Sequence, residues 1–236
     1  MKRLFLYLAA ASILSAGTIV APGTDTSTEG SGNNGFPFNI TGFGVASMRY
    51  QQVYASSQFS SGPILINAIL FRPDGLGGSA FSSTLPNVQI DLSTTSVTPS
   101  TISTTFANNV GANDIVVFNG ALATSSSFTG PAGGPKNFDI IINLTTPFLY
   151  DPSAGSLLMD VRNFGGGNTT QFDDDSTSTA IQRVFATDVA AATGTILGDR
   201  GLVTEFQFTA TTPEPSTLGM GAIGMLAVIA GLRKRT

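Results

Sequence analysis

Short stretches in which apolar and polar residues alternate run through the middle of this chain, and clusters of Gly, Pro, Ser, Asn and Asp separate them. Residues 88–92 read Val-Gln-Ile-Asp-Leu, and residues 138–144 show the same alternation. Because successive side chains of a β-strand point to opposite faces, this period of two predicts strands with one buried face. No apolar stripe with helical spacing stands out between the two ends of the chain, so the sequence predicts an all-β domain.

The clearest predicted strands cover residues 64–72, 88–93, 115–118, 138–144, 157–162 and 202–208. Weaker alternation predicts strands at 45–54, 102–106 and 181–185, with single helical turns at 55–59 and 188–192. Eight to ten short antiparallel strands without intervening helices favour a β-sandwich, jelly-roll-like, over residues 41–210. A domain of about 170 residues buries roughly 70% of its unfolded surface, which is enough for a stable core.

The chain contains no histidine and no cysteine. It therefore lacks the side chains for Ser-His-Asp or Cys-His nucleophiles and for ordinary zinc, copper or non-haem iron sites. No disulfide can stabilise the fold, so its stability depends on packing. Only carboxylate chemistry is left for catalysis, and we expect that the protein is not an enzyme.

Charge is distributed unevenly along the chain. Five of the eleven Lys and Arg residues lie close to the two ends, whereas residues 22–212 carry fourteen acidic and six basic residues, a net charge of 6 − 14 = −8. Such a domain offers no basic surface for nucleic acid. We expect instead neutral sugars, divalent cations or basic surfaces as partners.

The last two dozen residues contain three parts in a fixed order. These are Pro213, Glu214 and Pro215, then an apolar run at 218–232, then Arg233, Lys234 and Arg235. Residues 217–232 carry no charge, and as a helix they would span roughly 24 Å of a ~30 Å hydrocarbon core. Local thinning of the bilayer and snorkelling of basic side chains accommodate a short span. The basic cluster predicts a cytoplasmic C-terminus, and the two prolines predict an extended segment just outside the membrane.

This tail resembles the PEP-CTERM sorting signal of exopolysaccharide-producing Gram-negative bacteria. The resemblance covers about a tenth of the chain. It implies that Pro213, Glu214 and Pro215 are recognised by a membrane-bound exosortase, and that residues 211–236 form a sorting and anchor segment. It also implies transient anchoring in the inner membrane by a C-terminal transmembrane helix, followed by a cell-surface or extracellular location. The alternative is an ordinary C-terminal membrane anchor with an incidental pair of prolines.

The first residues have the pattern of a secretory signal peptide, predicted as a helix over residues 1–21. Lys2 and Arg3 precede an apolar run at 4–14, and small residues follow at 15–17. Cleavage is predicted after Gly17 or after Ala21 following passage through the secretion translocon; an uncleaved membrane anchor is the alternative. Residues 22–40 are small and polar in their first part, which predicts a linker before the ordered domain.

Asp173, Asp174 and Asp175 form the densest charge in the chain. Three adjacent carboxylates repel one another, so water or a cation has to offset their charge. Ca²⁺ prefers six to eight oxygen ligands, which a loop with these residues, Asn168 and backbone carbonyls could supply. The alternative is a solvated acidic loop.

Two further chemistries are open to this composition. Asp139, Asp151, Asp160 and Glu205 could provide the carboxylate pair of a glycoside hydrolase, although solvent-exposed strand faces and, for Asp151, a capped turn explain them equally well. Exposed aromatic rings could stack on sugars, but the chain has no Trp and only a few Tyr, among them Tyr50, Tyr54 and Tyr150.

Together these features predict an exported structural or adhesive protein of an extracellular polysaccharide matrix, sorted by an exosortase-like system. The alternatives are a Ca²⁺-assisted, lectin-like carbohydrate-binding module and, third, a carboxylate-dependent glycoside hydrolase.

Overall fold

Twelve β-strands make up almost half of the part of the chain that the computed structural model describes, namely residues 16–59, 62–198 and 200–211. The strands are β1 Ala16–Ala21, β2 Gly32–Asn34, β3 Met48–Tyr54, β4 Ile64–Phe71, β5 Phe81–Thr95, β6 Ile115–Ser126, β7 Ile140–Tyr150, β8 Ser156–Asn163, β9 Phe172–Asp175, β10 Ile181–Ala186, β11 Gly201–Leu202 and β12 Thr204–Ala210. Short 3-10 helices lie at Gly23–Asp25, Thr41–Phe43, Ser56–Gln58, Pro99–Thr101, Phe106–Asn109 and Pro152–Ala154.

All strand pairs are antiparallel, and they form three sheets. The four-stranded sheet has the order β1-β12-β4-β7, and the five-stranded sheet has the order β10-β3-β8-β5-β6. The inward side chains of these two sheets meet in one core: the rings of Tyr54 on β3 and Phe206 on β12 are 5.0 Å apart. The hydroxyls of Tyr54 and Thr204 are 2.9 Å apart, so the buried phenol has a hydrogen-bond partner.

A small third sheet, with the order β11-β9-β2, joins the large sheets at one end. Pro73, just after β4, bridges to Phe172 at the start of β9, and the Val203 amide donates to the Asp173 carbonyl. Through β2 this sheet also ties down the chain between β1 and β3. The end of the molecule where β4 stops and β12 begins is therefore built from residues far apart in sequence.

The all-β prediction is confirmed, and the jelly-roll arrangement is not confirmed. Eight of the nine predicted strand segments contain strands, and the turn predicted at 55–59 is the 3-10 helix Ser56–Gln58. The segment 102–106 is not a strand; it leads into Phe106–Asn109, whose phenylalanine and last asparagine are buried.

The structure corrects the expectation of a free linker at 22–40. This segment contains β2, and Phe38 and Ile40 belong to the core. The Thr41 amide donates to the Gly167 carbonyl at 3.0 Å. Composition predicted a linker because small polar residues dominate residues 22–35; the hydrogen-bond partners that order the segment lie more than a hundred residues further along the chain.

The signal-peptide helix was predicted for residues 1–21 and the sorting and anchor segment for residues 211–236. Residues 1–15 and 212–236 lie outside the described residues. The helix predicted at residues 16–21 is corrected by the structure, in which these residues form strand β1. Among the helices of the described ranges, none has the length and hydropathy to cross a membrane.

Candidate functional sites

The three consecutive aspartates predicted as a loop form strand β9 instead. Asp173, Asp174 and Asp175 are all buried, with exposed fractions of 0%, 0% and 4%. The solvated-loop interpretation is therefore wrong. Because neighbouring side chains of a strand point to opposite faces, the three carboxylates do not converge on one point, and each has its own partners.

Asp173 forms an ion pair inside the protein with Arg72, the residue after β4. Arg72 donates from Nε to Asp173 Oδ2 at 2.6 Å and from Nη2 to the Thr28 carbonyl, also at 2.6 Å. Asp173 Oδ1 accepts from the Gly30 amide at 3.0 Å. Burial raises the pKa of Asp173 to about 7, the Arg72 guanidinium opposes that rise, and the nearby Glu29 adds to it.

Asp174 faces two arginines from the other side of β9. Its carboxylate lies 3.9 Å from Arg183 Nη1 and 3.7 Å from Arg200 Nε. Neither carboxylate oxygen has a hydrogen-bond donor among the described residues. Burial raises the pKa of Asp174 to about 6, while Arg183 and Arg200 lower it.

Asp175 caps the turn that follows β9. Its Oδ1 accepts from the Thr177 amide and hydroxyl, each at 2.7 Å, and from the Ser31 hydroxyl at 3.0 Å. Burial raises the pKa of Asp175, but these hydrogen bonds outweigh it and hold the pKa below its ordinary value.

The structure brings together a different trio of carboxylates, those of Glu29, Asp74 and Asp173. One oxygen of each lies within 4.8 Å of the others. Glu29 Oε1 accepts from the Gly75 amide at 2.6 Å, whereas its Oε2 is buried without a hydrogen-bond partner in the described chain. Sequence analysis missed Glu29 and Asp74, since nothing in their spacing links them to β9.

We call the carboxylates of Asp25, Glu29, Asp74, Asp173, Asp174 and Asp175, with the guanidiniums of Arg72, Arg183 and Arg200, the ionic cluster. The cluster has six carboxylates and only three arginines. Burial raises the pKa of Asp25 to about 6, and the negative charge of the neighbouring Asp175 adds to that rise. Arg72, Arg183 and Arg200 neutralise much of the negative charge of Asp173 and Asp174, a role that the sequence analysis assigned to water or Ca²⁺. A Ca²⁺ site at Asp173, Asp174 and Asp175 stays a prediction, to be tested together with Glu29 and Asp74.

The four carboxylates considered for glycoside hydrolysis are dispersed. Asp139 and Asp151 flank opposite ends of strand β7, which pairs with the eight residues of β4 from Phe71 to Ile64 and so separates them by roughly 25 Å or more. Asp160 lies on β8 of the five-stranded sheet, whereas Glu205 lies on β12 of the four-stranded sheet. The expected cap at Asp151 is confirmed, because its Oδ1 accepts from the Ser153 amide at 2.9 Å.

Asp160 was expected to be solvent-exposed and is buried instead. On the outer face of the five-stranded sheet, Arg49 donates to both of its carboxylate oxygens, at 3.2 and 2.7 Å. Asp91 lies directly opposite Asp160 in the register of β5 and β8, and Arg162 lies 2.6 Å from Asp91 and 3.5 Å from Asp160. The 99–113 segment partly covers this face, with the Phe106 ring 4.7 Å from the Arg49 guanidinium carbon. The alternation in β5 predicts that Asp91 lies on the polar face of the sheet. The burial of these ion pairs depends on the covering segment 99–113, which the alternation does not reveal.

The tyrosines considered for sugar stacking are not available, because Tyr50, Tyr54 and Tyr150 are fully buried. A surface aromatic group forms elsewhere. The Phe36 ring lies 5.1 Å from that of Phe43 and 5.4 Å from that of Phe185, and Phe43 is 50% exposed. We call these three rings the phenylalanine patch.

The predicted sorting residues Pro213, Glu214, Pro215, Arg233, Lys234 and Arg235 lie outside the described residues, but the chain that leads to them is fixed. Strand β12 lies between β1 and β4, and Ala210 pairs with Ile64. The next residue, Thr211, donates from its hydroxyl to the Pro63 carbonyl at 2.8 Å. The folded domain therefore holds the chain up to two residues before Pro213.

Residues 211–235 match the family model of the PEP-CTERM protein-sorting motif. No curated protein and no solved structure matches the chain. The chain thus carries a motif that marks an exported protein sorted by exosortase, a membrane protein. The match includes all six predicted sorting residues.

Proposed function

We propose that the β-domain is a structural or adhesive component of an extracellular polysaccharide matrix, without enzymatic activity, delivered to the cell surface by its sorting motif. The motif at 211–235 is the observation that carries this proposal. The family resemblance associates such tails with exopolysaccharide-producing bacteria, which identifies polysaccharide as the partner to test first.

The geometry supports a passive domain attached to a processed tail. The motif continues directly from β12, an interior strand of its sheet, so the anchor is joined to a hydrogen-bonded part of the domain. All five arginines between residues 22 and 212 form ion pairs with aspartates. These arginine side chains therefore pair with carboxylates inside the domain, which is consistent with a structural role.

The phenylalanine patch favours direct contact with carbohydrate over a purely space-filling role. Phe43 presents half of its surface to solvent, and Phe36 and Phe185 hold it at the surface. Contiguous exposed apolar surface marks interaction sites in soluble domains. A carbohydrate-binding domain is therefore the second candidate function, with the apolar face of a sugar ring against Phe43.

Sorting is tested in the full chain with and without residues 212–236. The tailed protein is expected to lose the tail and reach the surface fraction, and the truncated protein is expected to be absent from the surface. Equal surface amounts of both would overturn the sorting role.

Matrix binding is tested by retention of the surface protein in extracted host polysaccharide. Phe43→Ala is expected to lower retention several-fold, with Leu197→Ala, a residue 53% exposed elsewhere, as the control. Retention unchanged by Phe43→Ala would refute the role of the phenylalanine patch in binding.

Two measurements on the wild type test the other candidate functions. Release of the retained protein by a chelator would show that Ca²⁺ assists binding. Release of soluble sugar from the polysaccharide would overturn the non-enzymatic role.

A further inference from the structure

The first described residues form a strand of the folded domain. Residues of β1 pair with β12 along their whole length, from Ala16 opposite Thr209 to Ala21 opposite Thr204. Yet the N-terminal segment up to residue 21 also has the pattern of a signal peptide. Residues 16–21 therefore lie both in the predicted signal peptide and in a strand of the folded domain, and the cleavage position decides which of them the exported protein keeps.

The end of β1 is core, not surface. Ala21 is fully buried, Val20 is 8% exposed, and Ile19 packs against the core cluster. Ile19 lies opposite Phe206, whose ring contacts those of Tyr54 and Phe59 at 5.0 and 5.5 Å. Cleavage after Ala21 would remove these side chains and leave one edge of β12 unpaired in the exported protein.

The start of β1 has a different character. Ala16 and Thr18 are exposed, and the residues at 15–17 are Ser, Ala and Gly. Small residues at this distance after an apolar run match the requirement of signal peptidase. Removing Ala16 and Gly17 would lose their pairing with Thr209 and Phe208 on β12 but no buried side chain.

We propose that the signal peptide is cleaved within the small-residue triplet at 15–17 and not after Ala21, so that residues 18–21 remain in the exported protein as the edge strand β1. This proposal rests on the export step of the proposed function. Complete absence of exported protein would contradict that function, whereas export with a different N-terminus would contradict this inference alone.

The direct test is N-terminal sequencing of the full chain after export, under denaturing conditions. We expect the exported protein to start at Ala16, Gly17 or Thr18. A start at Ser15 or at any residue before it, or at Ile19 or any residue after it, would overturn the proposal.

Two variants probe the site independently of folding, because the readout is the ratio of precursor to processed chain. Ala16→Leu combined with Gly17→Leu is expected to accumulate most of the chain as precursor, since bulky residues replace the small ones. Ala21→Leu is expected to be processed like the wild type. The reverse pattern would assign cleavage to Ala21 and refute the inference.

A third test asks whether β1 is present in the exported domain. Ala21→Asp places a charge in the core and is expected to lower Tm by about 10 °C. Thr18→Asp, on an exposed position of the same strand, is expected to leave Tm within about 2 °C of the wild type. If Ala21→Asp left the Tm of the exported protein unchanged, residue 21 would be absent from it and the proposal would fail.

Discussion

Arg72 shows how single residues hold the ionic cluster together. Its guanidinium is 1% exposed and bonds both the Asp173 carboxylate and the Thr28 carbonyl. Taking both charges out of water is unfavourable, so the pair persists only because its hydrogen bonds are nearly complete. Removing one partner leaves the other charged and buried without a counter-ion. This is expected to lower the free energy of unfolding more than removing both partners does.

Substitution of this pair is expected to show strong coupling. Arg72→Met should lower the free energy of unfolding by about 3–5 kcal/mol, because it leaves Asp173 without its cation. Arg72→Met combined with Asp173→Leu should recover a large part of that loss. Chemical denaturation of the two single variants and the double variant measures the coupling, and strictly additive effects would contradict a direct interaction.

The stability of the domain is expected to fall as pH rises from about 5 to 8. The folded pKa values of Asp173, about 7, and Asp174, about 6, lie above the ordinary value of 3.8. In this window the folded state binds more protons than the unfolded state, so deprotonation disfavours folding. Urea titrations at several pH values measure the slope.

Two variants serve as controls for the pH dependence. Asp173→Asn should flatten the slope near pH 7, and substitution of the exposed Asp188 by Asn should leave it unchanged. Stability that rises with pH through this window would show that the arginines keep both carboxylates ionised in the folded protein.

At the scale of elements, the segment after β8 connects the N-terminal arm, residues 22–40, to the five-stranded sheet. Gly167 adopts a φ of +101°, and a Cβ placed there would lie 2.2 Å from the Phe38 carbonyl oxygen. Its own carbonyl accepts from the Thr41 amide. This position needs glycine both for its backbone conformation and for the close approach of the arm.

Gly167→Ala is therefore expected to lower the free energy of unfolding by about 2–4 kcal/mol, from strain and displacement of the arm together. Gly44→Ala is the matched control, because Gly44 also has a positive φ, +69°, but nothing lies within 4 Å of an added Cβ. We expect the control to lose only about 1 kcal/mol. Thermal unfolding of both variants measures the difference, and equal losses would mean that the contact with Phe38 is unimportant.

The strands with apolar alternation were predictable, and those held by polar partners were not. The predicted bounds of β4, 64–72, and of β8, 157–162, agree with the structure to within one residue at each end. Burial of one face imposes the period of two on such strands, and this period is visible in the sequence. Strand β9 was missed, since its sequence Phe-Asp-Asp-Asp has no such period. Its burial is offset by Arg72, Arg183 and Arg200, which a local pattern does not reveal.

At the scale of the whole molecule, the two ends of the domain leave from the same side. Ala16 lies opposite Thr209 because β1 and β12 are antiparallel. The ionic cluster lies at the other end, where β12 begins. A chain held in the membrane by residues 212–236 would therefore have the ionic cluster on the side of the domain away from the β12 exit.

The short connection is expected to limit processing of the tail. From Thr211, held by Pro63, to Pro213 the chain extends at most about 7 Å. Insertion of ten Gly and Ser residues after Thr211 should maintain or accelerate tail removal, and deletion of residues 211 and 212 should slow it several-fold. Pulse-chase measurement of the processed fraction checks this, with the same insertion after the exposed Gly133 as the control. Equal rates for all chains would show that exosortase does not approach the domain closely.

The sequence by itself determined the strand-rich class of the domain, the exclusion of histidine and thiol chemistry, and the sorting motif at the C-terminal end. These depend on residue type and local order, since period, composition and a short contiguous motif can be read without knowing which distant residues meet. Only the tertiary structure decided that Asp173 is buried against Arg72, that residues 22–40 are packed, and that Ala16–Ala21 is a strand. Each of these depends on partners brought close by antiparallel pairing across the length of the chain, and no local pattern specifies that pairing.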